Sequence, residues 1–142
     1  MKRIMLFAVY SMFLFSLAGC GGSDIPYDLD GTTEVEIRAY DASATEPFAT
    51  VIVDGSEDVY TIVEHFSSLS LKEQEYAEPS VLSYELYLRD SSGEQLAKLG
   101  LPYGPSPWIN CSGTSYTVSD GTVDTNYLAQ LVDIAISSGP AA

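Results

Sequence analysis

The chain has 142 residues, of which 20 are acidic and six basic, and its formal net charge at pH 7 is −14. This length suits one domain, and so acidic a surface repels nucleic acid and anionic membranes. One histidine and two cysteines also argue against a zinc site, which usually takes several such ligands at short spacing.

The first element in the chain is an N-terminal leader. Lys2 and Arg3 precede an apolar stretch over residues 4–17, and small residues then lead to Cys20. A positive start, a short apolar core and small residues are the parts of an export signal. The apolar stretch is shorter than the roughly 18–20 residues needed to cross a bilayer. We therefore expect a cleaved leader and not a permanent membrane helix.

The end of this leader, Leu17, Ala18 and Gly19 before Cys20, resembles the lipobox of bacterial lipoproteins. The resemblance implies cleavage before Cys20 and attachment of fatty chains such as palmitate to its thiol. The lipid bilayer would then be a partner through acylated Cys20, on the extracytoplasmic face of the cell membrane. Gly21 replaces the aspartate typical of inner-membrane retention, so the outer membrane is an alternative in a Gram-negative cell. An ordinary secretory signal with an incidental cysteine is the other interpretation.

Beyond the signal peptide, residues 1–19, we expect a lipidated flexible tether over residues 20–33 and a single domain over residues 34–142. Loss of the leader leaves four basic residues against all 20 acidic ones, a formal charge of −16. Such a charge favours cationic partners or divalent ions, or simply keeps the domain soluble and away from lipid.

Hydrophobic periodicity predicts the elements of the domain. Alternating or β-branched patterns predict strands over residues 34–40, 48–53, 80–90, 94–101, 108–111 and 115–118, whereas residues 71–79 are acidic and irregular. The clearest strand, 80–90, has two distinct faces. One carries Leu82, Tyr84, Leu86 and Leu88, and the other carries Ser83, Glu85, Tyr87 and Arg89.

Two amphipathic helices are predicted as well. The first, over residues 57–68, has apolar residues at helical spacing and a cap at Ser56 or Asp54. Its apolar stripe is Val59, Ile62, Val63, Phe66 and Leu69. The second is capped by Asp124 or Thr125 and stops at Gly139-Pro140. Its stripe is Tyr127, Leu128, Leu131, Ile134 and Ala135.

These elements predict an α+β fold, an antiparallel meander sheet of about five to six strands with both helices packed on one face. Residues 84–93 also spell Y-x-L-x-L-x-D-x-x-G, followed by two short strands and a final helix. In this the chain resembles small extracytoplasmic domains of Firmicutes lipoproteins. The resemblance brings no catalytic residues.

Few residues indicate catalysis. Once Cys20 is lipidated, Cys111 stands alone, either as a buried small hydrophobe, which we favour, or as an intermolecular partner. His65 falls at the edge of a helix stripe, as a partly exposed helix residue would. The carboxylates at positions 54, 57 and 58 and at 73, 75 and 78 suit a solvated face better than a calcium site. We expect no cofactor, no metal site and no enzymatic activity.

Aromatic residues are the one feature that suggests recognition. Tyr103 and Trp108 bracket a loop with three prolines, and Tyr87 either joins them or lies on the open face of the sheet beside Glu85 and Arg89. Rigid loops with amphipathic rings make good contact surfaces, although Trp108 packing inward is the alternative. We expect a membrane-anchored binding or accessory domain of the cell envelope, with an envelope protein or small ligand as partner. A secreted-side inhibitor or ligand sensor is the alternative, and an envelope hydrolase ranks last.

Overall fold

The structure, a computed structural model, describes residues 25–42, 44–73, 82–102, 108–121 and 123–139. Its strands and helices follow the chain in this order: β1 (Thr32–Ala39), β2 (Ala49–Val53), α1 (Ser56–Ser67), β3 (Ser70–Glu73), β4 (Leu82–Asp90), β5 (Gln95–Pro102), β6 (Trp108–Cys111), β7 (Thr114–Asp120) and α2 (Asn126–Ser137). The strands form one sheet in the order β2-β1-β4-β5-β6-β7-β3, and every pairing is antiparallel.

The α+β prediction is confirmed, and β4 to β7 form the predicted meander. The sheet has seven strands where five or six were expected, because β3 lies partly within the segment predicted to be irregular. This strand is only four residues long and pairs with β7 at the edge of the sheet. A single buried residue, Leu71, marks its inner face, and one apolar residue is too few to show an alternating pattern.

Both helices pack on the same face of the sheet, as predicted. Their buried side chains join one apolar core with those of the strands beneath them. In α1 the buried residues are Val59, Ile62 and Phe66, in agreement with the predicted stripe. In α2 the prediction was wrong at two positions, since Ile134, which it included, is 63% exposed and Val132, which it left out, is 3% exposed. The helix is rotated so that Leu128 and Val132, one turn apart, face the sheet.

The helix caps differ from those expected. The N-cap of α1 is Gly55, so the expectation of Ser56 or Asp54 was wrong, and Ser56 is the first helical residue. Thr125 is the N-cap of α2, as predicted, but neither N-cap makes a side-chain capping hydrogen bond. At the other end of α2, Gly139 has a φ of 73°, the left-handed conformation in which glycine commonly ends a helix.

The packed domain begins earlier than residue 34. Tyr27 and Leu29 lie in the stretch expected to be a tether, yet both are buried in the core. The Tyr27 hydroxyl donates a hydrogen bond of 2.8 Å to the carbonyl oxygen of Phe66 in α1. Cys20 and the rest of the predicted lipobox lie outside the described residues. Within the part of the chain that is described, no helix is both long and apolar enough to span a bilayer.

Candidate binding face

The sheet face opposite the two helices carries the ion pairs of Arg38, Arg89 and Lys98, and we call it the open face. Strand alternation places polar residues of β1, β4 and β5 there side by side. In the registers, Arg38 lies opposite Glu85, and Tyr87 lies between Glu36 and Lys98. The predicted location of Tyr87 beside Glu85 and Arg89 on this face is confirmed.

Tyr87 is surrounded by cations. The guanidinium carbon of Arg38 lies 4.4 Å from the centroid of its ring, that of Arg89 lies 5.7 Å away, and Lys98 Nζ lies 5.3 Å away. All three distances are within the roughly 6 Å at which a cation is attracted to the face of an aromatic ring. Arg38 Nη1 also donates a hydrogen bond of 3.3 Å to the Tyr87 hydroxyl.

Three glutamates neutralise these cations. Arg38 Nε lies 2.5 Å from Glu36 Oε1, and Arg89 Nη1 lies 3.1 Å from Glu36 Oε2. Arg89 also reaches Glu34 Oε1 at 3.4 Å. We refer to this set as the Tyr87 network; besides Tyr87 it comprises Glu34, Glu36, Arg38, Glu85, Arg89 and Lys98. Its formal charges cancel, on a chain whose total is −14.

Glu85 connects the network to the next strand. Its Oε2 atom lies 3.2 Å from Lys98 Nζ, and its Oε1 atom accepts a short hydrogen bond from the Tyr40 hydroxyl. Burial, together with the hydrogen bond to Glu85, raises the pKa of Tyr40 to about 12. The Tyr40 hydroxyl therefore stays protonated and remains a donor at neutral pH.

The network favours the charged forms of Glu36, Glu85 and Lys98. Burial alone would raise the pKa of Glu36, but hydrogen bonds from Arg38 and Arg89 hold it below its usual value. Likewise, hydrogen bonds from Tyr40 and Lys98 outweigh burial and lower the pKa of Glu85. The same contact with Glu85 raises the pKa of Lys98. Each shift moves the group away from titration near neutral pH.

A depression of about 510 Å³ opens beside this network, over β4, β5 and β6. Gly100 forms part of its floor, opposite Glu85 on one side and Asn110 on the other. Its lining combines apolar, charged and carboxamide side chains with the turn between β6 and β7. The lining residues are Leu82, Glu85, Gln95, Lys98, Gly100, Trp108, Asn110, Ser112 and Gly113.

Leu82 lies on the open face, which corrects the prediction that it shares a face with Tyr84. The β4–β5 register shifts between positions 82 and 84, so that Leu82 pairs with Pro102 and Tyr84 with Leu101. This bulge reverses the alternation at the start of β4. A Cβ atom at Gly100 would lie 3.1 Å from Leu82 Cδ1, which places the Leu82 side chain directly over that glycine.

Trp108 occupies a position that neither interpretation anticipated. It opens β6, as expected, and is only 9% exposed, but it lies on the open face at the depression and not in the core between sheet and helices. Ile109 and Cys111 supply the core side of β6. Tyr103, the other ring of the predicted aromatic loop, lies outside the described residues.

Next to the depression, Ser115 lies opposite Asn110 in the β6–β7 register. It is 3% exposed, and among the described residues its hydroxyl has no hydrogen-bond partner. Asn110 Oδ1 accepts a hydrogen bond of 3.0 Å from the backbone N–H of Gly113. Sequence reasoning missed Gly100, Gln95, Lys98 and Asn110 as site residues. A glycine inside a strand, away from any turn, was the one signal for them.

A smaller cavity of about 260 Å³ is lined by residues of both helices. Its lining includes His65 and Tyr127. His65 is partly exposed, as predicted, and its Nε2 atom accepts a hydrogen bond of 3.1 Å from the backbone N–H of Asp124. Burial lowers the pKa of His65, and the negative charge of Asp124 opposes this. Tyr127 donates a short hydrogen bond to Asp58.

Cys111 is buried, as predicted, and forms no disulfide among the described residues. Burial raises the pKa of its thiol, which disfavours the reactive thiolate. Within the described part of the chain, histidine, cysteine and carboxylate side chains form no group of three or more that could share a metal ion.

The chain matches no family model, and comparison with curated proteins and with solved structures gives no match either.

Proposed function

We propose that this chain is a membrane-anchored extracytoplasmic lipoprotein that acts as a binding or accessory domain of the cell envelope, and that it binds through the open face. One observation carries the proposal. On a strongly acidic chain, this face combines a charge-neutral network around Tyr87 with a depression lined by Trp108 and by polar side chains. Depressions lined by aromatic rings and a few ordered polar groups are the usual form of small-ligand sites.

The electrostatics of the face support binding and not proton transfer. A general acid or base works best when its pKa lies near the operating pH. In the Tyr87 network the pKa values of Glu36 and Glu85 are lowered, and that of Lys98 is raised. These groups hold fixed charges and fixed positions, which is what recognition of a ligand requires.

The lipobox supports the anchoring half of the proposal. Each buried methylene group contributes about 0.8 kcal/mol, so that two or three acyl chains hold a protein at the bilayer almost permanently. Buried Tyr27 lies seven positions after Cys20 in the sequence. Even a fully extended chain spans only about 25 Å over seven positions, so the domain would work close to the membrane surface.

The anchor can be tested directly on the protein purified from the membrane. Mass spectrometry of its N-terminal peptide should show cleavage before Cys20 and the mass of attached acyl chains. The Cys20→Ser variant should accumulate as an uncleaved precursor. An unmodified Cys20 thiol in the mature wild-type protein would refute lipidation.

Binding through the open face can be tested in living cells with a photocrosslinking amino acid, p-benzoyl-phenylalanine. It would replace Gln95, which is exposed at the depression, or as a matched control Gln130, which is exposed on α2. We expect covalent adducts from position 95 that are absent from position 130. Adducts that are no more abundant at position 95 than at the control would contradict the proposal.

A further inference from the structure

We infer that the depression over Gly100 is a saccharide site that takes a neutral N-acetylhexosamine unit of a glycan. The inference rests on the proposed function and specifies the ligand of that same face. It follows from the shape of the depression, from the chemistry of its walls and from its charge.

The shape depends on Gly100. With a volume of about 510 Å³, the depression falls within the range of roughly 300–1,000 Å³ typical of small-ligand sites. Gly100 lies inside β5 and lacks the positive φ that would itself require glycine. A Cβ atom there would crowd Leu82 at 3.1 Å and Asn110 Cβ at 3.3 Å. Without a side chain at position 100, Leu82 and Asn110 pack close to the backbone of the sheet there, and both line the depression.

The walls carry the two kinds of group that a sugar ring needs. Leu82 and the small exposed part of Trp108, which is 9% exposed, offer apolar surface to the C–H face of the ring. The carboxamides of Gln95 and Asn110 each provide both donors and an acceptor. An acetamido group has the same pairing of N–H and C=O and also carries a methyl group, so an N-acetylated sugar matches this mixed lining better than an unsubstituted hexose does.

Asn110 is held in place for this role. Its Oδ1 atom accepts the hydrogen bond from the Gly113 N–H, which constrains the carboxamide against the β6–β7 turn. With the oxygen used in this way, the amide NH₂ group is the part that donates to a ligand. A donor positioned beforehand loses little side-chain entropy when it binds.

The charge of the site favours a neutral sugar. The charged groups at the edge of the depression, Glu85 and Lys98, are paired with each other at 3.2 Å. The chain as a whole, at −14, repels polyanions. A phosphorylated or sulfated glycan would therefore be repelled by the acidic protein and would find the Lys98 cation already paired with Glu85. A neutral sugar ring is not repelled in this way.

The test uses the full lipoprotein in a zwitterionic, sugar-free detergent. Trp108 is the only tryptophan of the chain and lines the depression, so its fluorescence should report binding. We expect a saturable change on titration with the β-1,4-linked tetramer of N-acetylglucosamine. Cellotetraose, which has hydroxyls in place of the acetamido groups, should bind about tenfold more weakly because the site loses the paired N–H and C=O of the acetamido group and its methyl group.

The Asn110→Asp variant keeps the acceptor for Gly113 and removes the amide donor, so it should raise the Kd about tenfold. Gln130→Glu on α2 makes the same change of amide to acid away from the site and should leave the Kd unaltered. Soluble glycan fragments of the cell's own wall form a second arm. Tighter binding of these fragments than of the tetramer would identify the wall as the source, and the reverse would indicate an external glycan.

Failure of the inference is distinguishable from failure of the proposed function. If neither N-acetylated probe gives a saturable change, or if Asn110→Asp binds as well as the wild type, the saccharide assignment is wrong. The binding face itself stands in that case provided that crosslinking from position 95 still exceeds the control. If probe binding fails and crosslinking from position 95 also does not exceed the control, then both the saccharide assignment and the proposed binding face are wrong.

Discussion

On β5, the Glu85 carboxylate pairs with its diagonal neighbour Lys98 and not with the residue directly opposite it on that strand. That residue is Gly100, which has no side chain, whereas Lys98 lies opposite Tyr87. Diagonal neighbours in a sheet are within reach of long side chains, so the 3.2 Å contact closes across the gap. The missing side chain at position 100 thus makes room for Leu82 at the depression and leaves Glu85 to pair with Lys98 in the Tyr87 network.

A side chain at position 100 should destabilise the fold, and a smaller side chain at position 82 should relieve part of that loss. In Gly100→Ala the new methyl group would lie 3.1 Å from Leu82 and 3.3 Å from Asn110, which is tighter than ordinary packing. We expect a loss of about 1–3 kcal/mol in the free energy of unfolding, measured with urea. Combining it with Leu82→Ala should cost less than the sum of the two single changes. Strict additivity would show that Leu82 does not lie over this glycine.

Removing the partner of the Glu85–Lys98 ion pair should change the titration of Glu85. In Lys98→Met the carboxylate loses a hydrogen bond and a nearby positive charge, so its pKa should rise, as followed by carbon NMR of the side chain. A lowered pKa in the folded state contributes stability above the unfolded value of about 4.3 and loses it as the pH falls through the folded value. Lys98→Met should therefore lose less stability than the wild type between about pH 5 and 3. An unchanged Glu85 titration would rule out the pairing.

His65 should make stability depend on pH in a separate range. Because burial lowers its pKa in the folded state, the unfolded chain takes up the proton first, near pH 6.5. The free energy of unfolding should then fall as the pH decreases from about 7 to 5. His65→Gln cannot titrate but can still accept the Asp124 N–H, so this part of the pH dependence should disappear. A variant with the wild-type slope over that range would contradict the assignment.

The buried N-terminal segment should be anchored by Tyr27. Tyr27→Phe removes the hydroxyl that donates to Phe66 O and leaves the ring in place, so we expect a loss of about 1 kcal/mol in denaturant unfolding. Tyr60→Phe, at a tyrosine that is 65% exposed, is the matched control and should change stability by no more than a few tenths of that. Equal effects at the two positions would mean that residues around Tyr27 do not pack as described.

The two cysteines allow one thiol assay to test both burial and lipidation. Cys111 is buried and its pKa is raised, so the native protein should react slowly with a disulfide reagent such as DTNB. After denaturation, the mature protein should show one reactive thiol per chain if Cys20 is acylated. Two thiols would argue against the lipid, and rapid reaction in the native state would argue against burial of Cys111.

Local patterns predicted the elements well. Alternation over residues 80–90 places Leu86 and Leu88 in the core and Tyr87 on the open face, as predicted from the sequence. Helical spacing likewise identified the buried side of α1. These predictions succeed because successive side chains of a strand point to opposite faces, and residues three and four apart on a helix share one face. Both rules act within a few residues.

The errors occurred where a contact with distant residues decided the outcome. The bulge that turns Leu82 to the open face exists only in the pairing of β4 with β5. Leu71 lies in a strand because its backbone pairs with that of β7. Ile134 is exposed because the packing of Leu128 and Val132 against the sheet sets the rotation of α2 about its axis. None of these partners is a near neighbour in the chain.

The sequence alone determined the acidic balance, the α+β class and the faces of most elements, since composition and short-range periodicity are enough to specify them. The leader with its lipobox is a prediction from the same sequence. Tertiary structure decided that Arg38, Glu85, Lys98 and Asn110 share one surface, and that a depression opens on it. Such a site depends on strand order and register. These are set by the pairing of segments far apart in the chain, which local periodicity does not encode.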